Sequence, residues 1–549
     1  MQIPLILAQA ADTAESAPPV AALLGLLAFG IAFLLVLILK LKLQAFLSLI
    51  LASIAVSVGA TFIPGSELSL TQIGNTVKDG MGGALGFIAT IIGIGAIFGA
   101  LLEHSGGTES LANSMLQKFG VKRAPWAMLV TGFIISIPVF LDVALVILAP
   151  LLYALARDTK KSILVFGLPL VAGMAVTHSF VPPTPGPVAV SFLLGVNLGW
   201  VILFGVIVGL PTAIICGPWL CTKVATFVDV PLPAHEQQHP EDISKKFPPV
   251  GLILLLIGLP IALILGNTIV EQHVASNLPA GLTAEARTSQ ISGALTGTIK
   301  QQAVSAGLTE ELAVGDEREQ LAGTIATSIV SQAETAETLA DNLTLGERKA
   351  RLATALASAP LGLQFIHFIG HPIVSLLLAT LIAIYFLGVK RGATKQQLVD
   401  LTTKALGPAG IIILITGAGG VFKQVLINTG IADALAIVFG NSGIPVVVLA
   451  FIFAALVRVA QGSATVAMLT AAGLMTAFIG GLSDPQLALV CCAIAAGATT
   501  LSHVNDSGFW MISRYLGMTE AQTLKTWTLI STVISLVSFL FIFIIWQFV

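Results

Sequence analysis

The stretch THSFVPPTPGP, Thr177 to Pro187, sets one histidine and four prolines (Pro182, Pro183, Pro185 and Pro187) into the apolar run Ser162 to Leu194. Proline lacks an amide donor and breaks a helix. Hydrocarbon offers nothing to hydrogen-bond, so broken backbone survives at membrane depth only inside protein or beside water. A second interruption, LSHVNDSG at Leu501 to Gly508, lies between apolar arms in the other half of the chain. Two interrupted helices at matching places of two halves point to the binding site of a secondary transporter.

The surroundings are those of a membrane protein. Of 549 residues, 56% are hydrophobic and 10% charged, too few charges to cover a soluble surface. Apolar windows of about 20 residues follow one another along the chain. The net charge of −2 gives no reason to expect nucleic acid as a partner. Cys216, Cys221, Cys491 and Cys492 lie in apolar segments without metal-ligand spacing and read as reduced core thiols. His235 and His239 are four residues apart but lack helical context and a carboxylate partner. No metal and no cofactor are therefore expected. Residues 1–19 lack a basic n-region and read as an extracytoplasmic leader rather than a cleaved signal.

Lysine and arginine orient the spans. The first membrane repeat covers residues 20–222. Val20 to Leu39 ends at Lys40 and Lys42, so the amino terminus lies outside; Leu43 to Ile63 returns outward, and Ala84 to Glu103 comes in toward Lys118, Lys122 and Arg123. Residues 125–156 are basic at both ends and carry the helix-unfriendly run Ile137 to Asp142 in the middle. This pattern predicts a re-entrant hairpin entering from inside, its tip near Asp142. The broken helix 162–194 runs outward, and Trp200 to Leu220 returns to Lys223 and a cytoplasmic linker, 223–248.

The second repeat, 249–549, starts with Val250 to Val270 and then carries a polar insert, 271–360. The insert is acidic, rich in Ala, Thr, Ser, Gln and Glu, and free of aromatic residues. It reads as extracytoplasmic, helical or partly disordered. Leu361 to Leu387 runs inward to Lys390 and Arg391, and Pro408 to Phe422 outward. Residues 444–480 are apolar with no basic residue at either end, predicting a second hairpin that enters from outside, with its tip at Gln461 to Thr465. The broken helix 486–515 and Thr526 to Val549 complete the half.

The halves also match by residue. GAIFGALLEHSGGTESLA at Gly95 to Ala112 aligns with GGVFKQVLINTGIADALA at Gly419 to Ala436, pairing Phe98 with Phe422, Gly106 with Gly430 and Glu109 with Asp433. Thr177-His178 likewise pairs with Ser502-His503. The fold class expected is an all-α polytopic membrane protein of two inverted repeats, each with a re-entrant hairpin and a broken transmembrane helix. That plan suits alternating access around a midplane site.

The candidate site residues cluster at these interruptions. Arg458 stands alone at membrane depth, where a charge faces a cavity or a partner. Its guanidinium either matches a substrate carboxylate or pairs with Asp142 or Asp506. Gly462, Ser463 and Thr465 open the second arm of their hairpin, where helix N-termini offer free amides to an anion; the hydroxyls could equally only cap the helix. Asp142 is the sole acid in its hairpin, a proton-coupling carboxylate or a cap. Histidine as a side chain titrates near physiological pH, so His178 and His503 suit proton relay or hydroxyl binding, with Thr177 and Ser502 beside them. Asn505 and Asp506 fit sugar hydroxyls or freed backbone amides, and Asp506 also counts among the proton-coupling groups.

The motifs THSFVPPTPGP, Gly462 to Ala467 (GSATVA), Ser502 to Trp510 (SHVNDSGFW) and Gly419 to Leu426 (GGVFKQVL) resemble the gluconate permease family, proton-coupled importers of sugar acids. The likeness covers roughly 21–265 and 361–549. It implies a multi-pass protein of the bacterial inner membrane that imports gluconate or a related small hydroxy-carboxylate with protons. D-serine or another organic anion is the alternative cargo. The family is similar in plan to the ion transporter superfamily, which implies a homodimer with a scaffold and a moving transport domain. The partners implied are the carboxylate, protons and the lipid bilayer. The chain has Asp142 where the family usually carries Glu, and Thr184 where it has a second His. Rival readings are an intramembrane hydrolase using Ser463 with His503 as base, and a channel or receptor. A serine-directed probe labelling Ser463, or single-channel currents, would favour these instead.

Overall fold

The computed structural model describes residues 18–66, 68–228, 230, 247–276, 345–431, 434, 444–476 and 478–549, and among them every regular element is helical. Seven helices among these residues are long and apolar enough to cross a membrane: Leu70–His104, Leu164–Leu194, Leu198–Ala225, Val250–Ser276, Pro372–Arg391, Lys395–Asn428 and Glu520–Trp546. Contacts divide the chain into two compact units, one of Met1–Ile269 with Phe365–Val549 and one of Val270–Gln364.

Two long helices form the spine of the larger unit, Ile73–His104 (32 residues) and Lys395–Asn428 (34 residues). Both begin well before the apolar windows 84–103 and 408–422. The cause is local: Ser69 with Gln72, and Thr394 with Gln397, make reciprocal caps that start a helix before its apolar stretch. The helices cross where both lack a side chain. A Cβ on Gly420 would stand 2.5 Å from the Gly80 carbonyl oxygen, and Asn428 donates to Thr76 Oγ1 at 3.0 Å. Val20–Leu35 and Ala45–Ala60 bury Leu23, Leu27 and Val56 against Val421, Phe422, Val425 and Leu426.

The segment expected as one span, Leu361 to Leu387, is instead two helices, Leu361–Gly370 and Pro372–Ala383. Pro372 sits at the first helical position, where its missing amide costs nothing. Gly370 packs on Leu263 and Asn267 so closely that a Cβ would lie 2.5 Å from the Leu263 carbonyl oxygen.

Each expected hairpin is a helix, a break and a helix. The first is Ala124–Ile135 and Leu141–Thr159, interrupted at residues 136–140; the second is Val446–Gln461 and Ala464–Met475, interrupted only at Gly462 and Ser463. The arms of the second pack along each other, whereas those of the first scarcely touch and pack instead on Leu164–Phe180. Gly462 turns the second at φ +82°, a conformation that costs glycine little.

The two broken spans differ in how they break. The first runs as Leu164–Phe180 and Pro185–Leu194, leaving only residues 181–184 outside helix. Thr177 and His178 therefore lie in a helix's last turn and not in the gap. Pro182 and Pro183 bring no amide donors, so a short gap has few groups to satisfy. The second span, Asp484–Thr499 and Ser507–Tyr515, opens for seven residues without proline. Its amides and carbonyls need partners, and side chains supply them, as described below.

Each broken span crosses the first arm of the preceding hairpin at a glycine. A Cβ on Gly173 would be 2.4 Å from the Leu129 carbonyl oxygen, and one on Gly497 2.3 Å from that of Phe451. In the smaller unit, Leu345–Ser358 is helical, and Gln364 closes onto the Ala357 and Ala359 carbonyls. The rest of the insert between 277 and 344, and His235 and His239, lie outside the described residues.

Candidate functional site

Six of the expected residues meet where the end of Val446–Gln461 touches the second break: Arg458, Gly462, Ser502, His503, Asn505 and Asp506. Arg458 is 4% exposed. Its Nε donates to the Thr500 carbonyl at 3.3 Å, Nη1 to the Gly462 carbonyl, and Nη2 to Asp506 Oδ2 at 2.5 Å. Of the pairings left open by the sequence, the one formed is with Asp506. A buried guanidinium needs such a counter-charge, since leaving either partner alone is strongly destabilising.

Asp506 in turn is held from three sides. Ser502 Oγ donates to Oδ2 at 2.5 Å, and the Gly508 amide to Oδ1 at 3.0 Å, so Asp506 also caps Ser507–Tyr515. Behind it, Trp527 Nε1 donates to Ser502 Oγ at 2.8 Å, the Ser502 amide to Ser531 Oγ at 3.2 Å, and Thr528 Oγ1 to the Ser502 carbonyl. His503 Nε2 faces the Val459 carbonyl at 3.1 Å, and Asn505 Nδ2 donates to the same carbonyl at 3.1 Å. These two residues serve carbonyls left free at the end of Val446–Gln461. The Asn505 backbone packs over Gly462, where a Cβ would lie 2.3 Å from its carbonyl oxygen.

Ser463 and Thr465 stand apart from that network. Ser463 Oγ accepts from the Val466 amide at 3.4 Å as the cap of Ala464–Met475, and Thr465 lies half-buried in the first turn. His503 is turned to the Val459 carbonyl rather than to Ser463, so the pair a serine hydrolase would need is not assembled.

The first half presents a different picture. Thr177 is fully buried, its hydroxyl donating to the Phe133 carbonyl at 2.8 Å. Asp142 is exposed in the first turn of Leu141–Thr159, close enough to act electrostatically on His178. Among the described residues His178 Nδ1 is buried with no hydrogen-bond partner, and so is Ser136 Oγ at the first hairpin's interruption. A narrow cleft lies between Ile137 to Phe140, Pro183 to Pro185 and the spine at Ile92 to Phe98. The two broken spans are tied directly by Thr499 Oγ1 donating to Ser179 Oγ at 3.0 Å, both buried.

Several participants have no sequence signal of their own. Trp527, Thr528 and Ser531 lie in an ordinary apolar span, and only the fold brings them to Ser502. Lys423 is legible as a cation inside GGVFKQVL, where it follows the apolar window 408–422 and reads as the end of a span. It is half-buried, its Nζ donating to the Leu193 carbonyl at 2.5 Å. A cation there faces the C-terminus of Pro185–Leu194, the negative end of that helix.

Comparison with known proteins follows the same outline. Residues 22–287 and 344–549 match the sequence profile described as GntP family permease, which leaves 288–343 unmatched within the insert. The chain is 33% identical over 516 residues to the low-affinity gluconate transporter of Escherichia coli (strain K12), covering 92% of this chain and 94% of that protein. It is 34% identical over 531 residues to the gluconate permease of Bacillus subtilis (strain 168), covering 95% and 98%. It is 34% identical over 529 residues to the inner membrane permease YgbN of Escherichia coli (strain K12), covering 94% and 97%. Relatives that align nearly end to end at this identity, with a family profile spanning both halves, place the protein: it belongs to the GntP family of permeases.

Proposed function

We propose that this permease imports gluconate, or a related small hydroxy-carboxylate, together with protons across a bacterial inner membrane by alternating access. The observation that carries the reading is Arg458, a guanidinium 4% exposed among apolar helices at the meeting of a helix break and a hairpin tip. Relatives named for gluconate transport supply the cargo class, and a relative named as an inner membrane permease supplies the location. Arg458 binds the carboxylate. Gly462, Asn505 and Ser502 lie beside it with amide and hydroxyl groups, Ser463 and Thr465 at the start of Ala464–Met475 offer further hydroxyls to the substrate, and Thr177 and His178 meet the hydroxylated end. Asp142, His178, His503 and Asp506 move protons.

The two membrane halves act as inverted repeats, 20–222 and 249–549, each with a re-entrant hairpin, and the protein works as a homodimer. The matched glycine crossings Gly173–Leu129 and Gly497–Phe451 support the repeat. The separated arms of the first hairpin beside the closed second one support unequal halves of the kind that exchange shapes during a cycle.

The test is uptake of labelled gluconate by purified protein in liposomes, challenged with a panel of small carboxylates. Saturable uptake inhibited best by sugar acids is expected. Uptake blocked equally by unrelated carboxylates, or matched by protein-free liposomes, would overturn the substrate assignment.

A further inference from the structure

Arg458 is already occupied. Its strongest partner is Asp506, whose side chain is 13% exposed against 5% for that of Arg458, and the other two bonds go to backbone carbonyls. A substrate anion added to this pair would leave one buried guanidinium facing two carboxylates, a net negative charge in a site with little water to screen it. Resting on the transport reading above, we infer that the substrate carboxylate and Asp506 take turns on Arg458, with Asp506 leaving the ion pair as its protonated acid.

The exchange balances. One proton from water bonds to Asp506 Oδ2, the Nη2–H···Oδ2 bond breaks, and Nη2 donates to the substrate carboxylate. The site holds one cation and one anion before and after, and one proton enters with each substrate. Reversal on the far side releases both. The protonated acid is already provided for: Ser502 Oγ at 2.5 Å can accept its O–H once its own hydroxyl hydrogen rotates off Oδ2, while it goes on accepting from Trp527 Nε1, and Oδ1 keeps its bond to the Gly508 amide. The helix cap therefore survives the exchange.

Other charges facing this junction are poor substitutes for Arg458. Leu141–Thr159 packs on Ser507–Tyr515 and carries Asp142, Arg157 and Asp158, all exposed; Glu520 and Lys525 on the following segments, and Arg514, are exposed as well. His503 is turned to the Val459 carbonyl. Arg458 is the only charged side chain bonded to Asp506 among the described residues.

The experiment is calorimetric titration of gluconate into the detergent-purified full-length protein at a series of pH values, in buffers of different ionisation enthalpy, with wild type and Asp506→Asn. Asparagine is isosteric and caps helices as well as aspartate does. Wild type should take up about one proton per gluconate and lose affinity about tenfold per pH unit on the alkaline side. Asp506→Asn should bind with about one proton less taken up per gluconate and without the matching tenfold-per-unit slope. Wild type binding without proton uptake, or Asp506→Asn keeping the pH slope, overturns the exchange. If the variant does not fold, wild type binding gluconate without proton uptake still overturns the exchange. Absence of gluconate binding at every pH would instead count against the transport reading itself.

Discussion

At the scale of single residues, the proposed binding of a carboxylate rests on Arg458. Lysine keeps its charge but loses the planar fork that reaches Thr500, Gly462 and Asp506 at once. Arg458→Lys should raise the Kd for gluconate by about tenfold or more, worth roughly 1.4 kcal/mol per decade, with near-normal yield in the membrane. An unchanged Kd would remove Arg458 from the binding role. Gly462 gives a second check. Alanine there meets the Asn505 carbonyl oxygen at 2.3 Å and must hold φ +82°, a strain of about 1–3 kcal/mol. Gly462→Ala should lower the melting temperature of the purified protein; an unshifted melt would mean the tip relaxes freely. Arg458 and Gly462 were both legible in the sequence, one as a charge amid apolar residues and the other as glycine at a turn. What could not be read was that Asp506, not Asp142, holds the guanidinium. That choice depends on how far the end of one helix reaches into the break of another.

At the scale of elements, the close crossings set stability. Alanine at Gly173 or Gly497 would thrust a Cβ within 2.4 or 2.3 Å of a carbonyl oxygen of the neighbouring helix. Overpacking of this kind costs typically about 1–3 kcal/mol. At Gly83, inside the spine helix, nothing lies within 4 Å of an added Cβ, so alanine should be neutral or stabilise by up to about 1 kcal/mol. Thermal melts of the three variants check the contrast; equal shifts in all of them would deny that the crossings are tight. The breaks themselves were legible, because prolines and polar runs inside apolar spans cannot carry a continuous helix through hydrocarbon. Their extents were not. The first gap closes to residues 181–184 because Leu164–Phe180 keeps its helical bonds through His178, while the second spans 500–506. Which amides and carbonyls find side-chain partners decides this, and those partners, Ser531 for the Ser502 amide and Thr528 for its carbonyl, come from distant spans.

At the scale of the molecule, both membrane halves carry complete sets of helices and breaks without the insert. Replacing 277–344 with a short Gly/Ser linker between Ser276 and Leu345 should leave gluconate uptake per inserted protein within about twofold of wild type by the tenfold-per-1.4-kcal/mol scale. Loss of uptake in a normally inserted variant would give the insert a part in transport. The crossing-length helices and their polytopic class followed from hydropathy alone, because the bilayer sets helix length. The long N-terminal extensions of the spine helices did not, since caps rather than apolar residues start them. The most direct measurement of proton-driven import is gluconate accumulation in proteoliposomes under an imposed pH difference, alkaline inside, with and without a protonophore. Accumulation above the external concentration that collapses when the protonophore is added is expected, stronger with a negative interior if more than one proton enters per anion. Accumulation that ignores the pH difference, or that requires sodium, would contradict proton-driven import.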